Sequence, residues 1–226
     1  MIVGERKPAA EILEMTKGYG KIYVAGCGTC VTVCLAGGEK EVGVLATFLK
    51  IAAKKEGRKI KVVEGTVERQ CEREWVAEMK KHVKEADAVV SMACGIGVQV
   101  VAEMYPQQPV LPALNTTLMG WPAKHAVWLE NCRACGDCIL HLTGGICPVS
   151  RCAKQMMNGP CGGSHDGKCE VDQGTDCAWA LIYERLKATN RLDWMSKIQP
   201  PRDWDLAGSG GPRKTVKEEE VIDEGR

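Results

Sequence analysis

The chain has 226 residues, enough for one large domain or two small ones. Its net charge of +1 and charged fraction of 26% exclude a strongly basic nucleic-acid binder and a surface built for anionic membranes. No apolar run approaches the roughly 20 residues of a membrane span, and no apolar stretch follows Glu5, Arg6 and Lys7 as in a secretion signal. A cytoplasmic protein without nucleic-acid or membrane partners is expected. In chain order, residues 21–25 (KIYVA) are a short apolar run ending at glycine, a strand signal. Residues 41–55 place Val42, Leu45, Leu49 and Ala52 at helical spacing until Gly57. Residues 59–64 (KIKVVE) form a second strand, and residues 72–84 a second helix with Trp75, Val76, Met79 and Val83 on one face. Residues 87–92 (DAVVSM), 96–104 and 110–114 then read as strand, helix and strand. This alternation predicts βαβ units and a parallel sheet, an α/β domain of flavodoxin-like or Rossmann-like type over residues 1–120.

After Trp121 and Pro122 the rhythm stops. Residues 132–177 hold eight cysteines among many glycines, without sustained periodicity. Such a stretch builds little apolar core, and a metal is the usual substitute. Residues 121–198 are therefore expected to form a cysteine-rich, loop-dominated iron–sulfur domain, closed by a short helix over residues 179–186. Residues 199–226 read as an extended partner-binding or disordered tail in which Trp204 is the one aromatic.

Thirteen cysteines are an odd count in a chain read as cytoplasmic, where patterned cysteines point to metal or redox chemistry rather than disulfides. Cys27, Cys30 and Cys34 follow the first expected strand, Cys71 the second and Cys94 the third. Parallel strands bring their carboxyl ends to one edge, so five thiols from three loops converge there. One [4Fe–4S] cluster needs four, which leaves one spare or redox-active. The sequences GCG at 26–28 and GIG at 95–97 each lack the third glycine of a dinucleotide loop, and glycine there lets backbone pass close to a cluster. In the second region, Cys132, Cys135 and Cys138 have the spacing with which one loop wraps a cubane cluster. Cys147 precedes Pro148, and Cys152, Cys161, Cys169 and Cys177 follow. Eight thiols match two clusters. One division gives Cys132, Cys135, Cys138 and Cys177 to the first and Cys147, Cys152, Cys161 and Cys169 to the second, and crossed pairings fit equally. Zinc is the rival metal, although structural zinc sites favour two paired knuckles. His141 and His165 in glycine-rich loops read as solvated. No catalytic constellation is present. Six basic residues over 50–61 read as a solvated face or as a receiver for an acidic electron carrier.

The segments VAGCGTCVTVCLAGGEKEV, GTVERQCEREW and SMACGIGVQVVAE resemble the MetV-type small subunit of methylenetetrahydrofolate reductase. The second half, from NCRACGDC to DCAWALIYERL, resembles the methylenetetrahydrofolate reductase C-terminal domain. The resemblance implies a catalytic partner subunit carrying FMN or FAD, which interconverts methylenetetrahydrofolate and methyltetrahydrofolate in a Wood–Ljungdahl-type pathway. This chain would pass electrons to or from that flavin, with ferredoxin, flavodoxin or a pyridine-nucleotide module as the further carrier. The thirteen cysteines are the residues it carries over, as ligands of [4Fe–4S] clusters. The alternative it leaves is a zinc-binding subunit that stabilises or docks the flavin subunit without electron transfer.

Overall fold

A computed structural model describes residues 1–217, and the last nine residues of the expected tail lie outside the described residues. The chain clusters into two compact units, Met1–Leu129 and Glu130–Arg226. Strands and helices of the first unit run in the order β1 (Ile2–Arg6), α1 (Ala9–Met15), β2 (Lys21–Cys27), α2 (Cys30–Val33), α3 (Glu39–Lys55), β3 (Lys61–Val67), α4 (Arg73–Glu78), α5 (Lys80–Glu85), β4 (Ala88–Met92), α6 (Gly95–Met104), β5 (Val110–Pro112) and β6 (Leu114–Lys124). Strand β7 (Val127–Cys132) leads from the first unit into the second.

Four strands make a parallel sheet in the order β3-β2-β4-β5. The chain thus starts inside the sheet, steps to one edge and returns to build outward on the other side, the doubly wound arrangement expected from the alternation. Alternate side chains of β2 serve opposite faces. Ile22 and Val24 pack with Val42, Leu45 and Leu49 of α3 and Ile12 of α1. Tyr23 and Ala25 pack with Val76, Met79, Val83 and Val101 from α4 to α6. Each such aliphatic side chain taken fully from water contributes about 1.5–3 kcal/mol. Helix α3 begins where Glu41 Oε2 accepts from the Gly38 N–H at 3.1 Å, with Glu39 and Glu41 in its first turn and Lys54 and Lys55 in its last. Both charge biases complement the helix dipole.

Three features depart from the expected elements. The helix over residues 72–84 is two short helices, because Met79 N–H bonds the Val76 carbonyl three residues back and tightens the turn between them. The first eight residues supply a strand, β1, that pairs antiparallel with β6 from Ile2 opposite Met119 to Arg6 opposite Leu114. The β6–β7 hairpin carries the first unit past residue 120 into a second sheet of order β1-β6-β7. Pro122 lies beyond the β1 register, so its missing N–H removes no bond from that pairing.

The second unit is mostly loop, as expected. It contains α7 (Pro148–Arg151), α8 (Ala178–Ala188) and single 3-10 turns at Leu192–Ser196, Trp204–Leu206 and Gly208–Gly210. Its apolar cluster is small: Cys177, Trp179, Ile182 and Leu186, with Ile146, Cys152, Trp194 and Met195 against them. Among the described residues no helix is long and apolar enough to cross a membrane.

Candidate metal centres

The carboxyl ends of β2, β3 and β4 carry Cys27, Cys71 and Cys94 to the same sheet edge. The clasp that holds those ends together is Gln70, which is fully buried. Its Nε2 donates to the carbonyls of Ala25 and Gly26, both at 2.9 Å, and its Oε1 accepts from Ser91 Oγ at 2.7 Å. One amide thus ties the loop bearing Cys71 to the ends of β2 and β4. Gly97 lies against this clasp, since a Cβ there would meet Gln70 Cβ at 2.9 Å and Ala93 Cβ at 2.8 Å. The second glycine of GIG is therefore required by protein packing.

The five thiols at this edge differ in setting. Cys71 is exposed, Cys30 and Cys94 are half-buried, and Cys27 and Cys34 are buried. Burial raises the Cys71 thiol above its ordinary value, and the neighbouring Cys27 and Cys94 add to the effect. Cys27 Sγ lies 3.8 Å from the Glu68 carbonyl and 3.8 Å from Thr29 Oγ1. Cys34 turns the other way: its Sγ donates to the Ile2 carbonyl of β1 at 3.5 Å, and burial pushes its thiol up.

In the second unit Cys152, Cys161, Cys169 and Cys177 line one small pocket, with room for about one water molecule, together with Arg151, Lys154 and Trp179. Local structure explains the meeting. Cys152 follows α7, and Cys177 precedes α8. Two backbone bonds fold the intervening loop back: Cys169 N–H to the Thr175 carbonyl at 2.9 Å and Cys177 N–H to the Gly167 carbonyl at 2.7 Å. Trp179 Nε1 pins the stretch after Cys152 by donating to the Met156 carbonyl at 2.8 Å. Lys154 pairs with Glu170 at the cavity wall, and Cys161 Sγ lies 3.7 Å from the same carboxylate.

Cys132 ends β7, and Cys135 and Cys138 lie in the loop that follows. There the Ala134 N–H donates to Cys132 Sγ at 3.3 Å. Cys147 stands at the start of α7, outside the four-cysteine cavity. His165 is exposed and paired with Asp166, and His141 is exposed. All thirteen cysteines are free. Among the described residues no three Cys, His, Asp or Glu side chains converge at metal-holding distance. The four thiols lining one pocket match a four-thiolate site in donor type and number, and would have to draw together to bind a metal. A larger apolar cavity, lined by Ile12, Val44, Leu45 and Phe48 with Arg6, Lys7 and Glu41, lies away from the cysteines and brings together no reactive set.

Sequence reasoning found the thiols and missed Gln70, Ser91 and Arg202. Gln70 and Ser91 lack any local motif, because their partners are 21–45 residues away. Arg202 reaches Cys135 from 67 residues away.

These features describe a two-unit chain, a parallel α/β unit with thiols at its strand ends and a cysteine-rich unit with thiols around a cavity. Residues 111–205 match the family model described as methylene-tetrahydrofolate reductase C terminal, a segment that holds all eight cysteines of the second region. No curated protein matches the chain. One solved structure, an extracellular ligand-binding receptor from Verminephrobacter eiseniae ef01-2, is similar at 14% identity and TM-score 0.33. That match covers 45% of this chain and 28% of the receptor, and carries no argument about function.

Proposed function

We propose that the chain is the iron–sulfur electron-transfer subunit of a methylenetetrahydrofolate reductase, exchanging electrons with the FMN or FAD of a catalytic partner subunit. The observation that carries this reading is the cavity lined by Cys152, Cys161, Cys169 and Cys177, inside the segment that matches the reductase C-terminal family. These four would form one ligand set. Cys132, Cys135, Cys138 and Cys147 then remain for a second, the crossed alternative to grouping Cys177 with the triple run. In the first unit Cys27, Cys30, Cys71 and Cys94 would form a third. A [4Fe–4S] cluster supplies one-electron transfer when bound. The chain's own contribution is to hold the thiols, exclude water from Cys27 and Cys177, and tune charge around the sulfurs.

Four thiolates also suit zinc, and the four-cysteine cavity favours this second reading as much as the first. A zinc subunit would stabilise or dock the flavin subunit without exchanging electrons. Anaerobic mixing separates the two. The chain is reduced with dithionite, freed of reductant and added to an oxidised partner flavoprotein. Bleaching of the flavin band near 450 nm is expected. A flavin that stays oxidised beside a bound, reductant-treated chain would rule out electron transfer between them.

A further inference from the structure

The loop Cys132–Cys138 is covered by the segment that follows residue 199, and the contact is polar. Arg202 is the centre of it. Its side chain is only 4% exposed. Its Nη1 donates to Cys135 Sγ at 3.2 Å and to the Asp137 carbonyl at 2.6 Å. Its Nε–H is buried without a partner. The guanidinium also lies over the Trp204 ring, 5.7 Å from its centre. Arg213 reinforces the cover, donating to the Ala134 carbonyl at 3.2 Å and the Leu206 carbonyl at 2.6 Å. Gly136, at φ +84°, lies where a side chain would meet the Leu206 carbonyl.

A guanidinium carries a permanent positive charge, and burying it without a counter-charge in direct contact is costly. The carboxylate of Asp137 stands 4.0 Å away, beyond hydrogen-bond reach, and is 59% exposed. Of the groups in direct contact, the Asp137 carbonyl and the Trp204 ring are neutral, and the Cys135 sulfur is the one that can become an anion; as an uncharged thiol it is a weak acceptor. We infer that Arg202 is the counter-ion and positioning residue of an anionic metal–thiolate site built on Cys135, and that the segment from Gln199 to Arg213 is the strap that closes it. The inference rests on the reading of this loop as a metal centre. It gives the segment from Gln199 to Arg213 a role within its own unit. It also explains why Arg202 is buried against a cysteine while its nearest carboxylate, Asp137, stands 4.0 Å away.

The test uses the full chain, purified anaerobically, with the chelator pyridylazoresorcinol as the probe of metal release. Arg202→Gln is expected to release the metal of this loop about tenfold faster or more, the usual scale for losing a partner of a metal ligand. Arg202→Lys keeps the charge but not the fork and is expected to fall between the two. If the metal is iron, the reduction potential of the site should fall in Arg202→Gln, because a cation beside the sulfur has gone. Far-ultraviolet circular dichroism checks folding. Should Arg202→Gln unfold, Arg202→Lys takes its place, with several-fold faster release expected and the wild-type rate overturning the inference. A folded, metal-loaded Arg202→Gln that releases metal at the wild-type rate would overturn it too, and leave the proposed function standing. A wild-type chain that holds no metal would instead sink the reading on which both rest.

Discussion

Cys34 and Cys71 reach the same sheet edge in different states. Cys34 is buried and its sulfur is engaged with the Ile2 carbonyl. Cys71 is exposed and lies close enough to Cys27 and Cys94 for their charges to couple. The Cys34 sulfur already has a partner in the Ile2 carbonyl, so we propose it as the thiol this edge can spare. Cys34→Ala is expected to keep the wild-type metal content, and Cys71→Ala to lose the share held by the first unit. Metal analysis of the two purified variants checks this, and equal loss in both would return Cys34 to the ligand set. The sequence showed that five thiols converge. It did not show which faces inward, because that depends on β1, which pairs with β6 more than a hundred residues away.

At the scale of elements, the sheet edge depends on one side chain. Three strand ends meet at Gln70, whose amide donates twice and accepts once. Gln70→Ala leaves the Ser91 hydroxyl and two backbone carbonyls without that partner inside the protein. Unsatisfied buried groups cost about 1–3 kcal/mol each, so a loss of about 2–4 kcal/mol after partial relaxation is expected. Urea unfolding of the variant measures it, and a change below about 0.5 kcal/mol, the scale of an ordinary surface substitution, would show that the clasp is ornamental. The elements themselves were largely legible. Strands β2 to β5 and helices α3 and α6 follow periodicity, because each buries one face on the sheet. The β6–β7 hairpin was not legible, because the alternating rhythm stops at Trp121 and Pro122, inside β6. Strand β6 is held by pairing with distant β1 on one side and β7 on the other, and local signals carry no trace of the β1 pairing.

At the scale of the whole molecule, the two units rest on different physics. The first has apolar clusters on both faces of its sheet. The second has one small cluster around Trp179, Ile182 and Leu186, and eight cysteines in its loops. A chain with that little apolar burial needs another source of stability, and bound metal supplies folding energy directly. The count of thiols was legible in the sequence. Their grouping was not: Cys177 joins Cys152, Cys161 and Cys169 through backbone bonds at Cys169 and Cys177 that spacing alone does not reveal.

The central claim is that these thiols hold iron–sulfur clusters, and an anaerobic count of iron, acid-labile sulfide and zinc on the purified chain tests it most directly. The account predicts iron with matching sulfide, about twelve of each per chain if three four-iron sites are filled and about eight if only the second unit is loaded. Zinc without sulfide, or a folded chain with no metal, would contradict it.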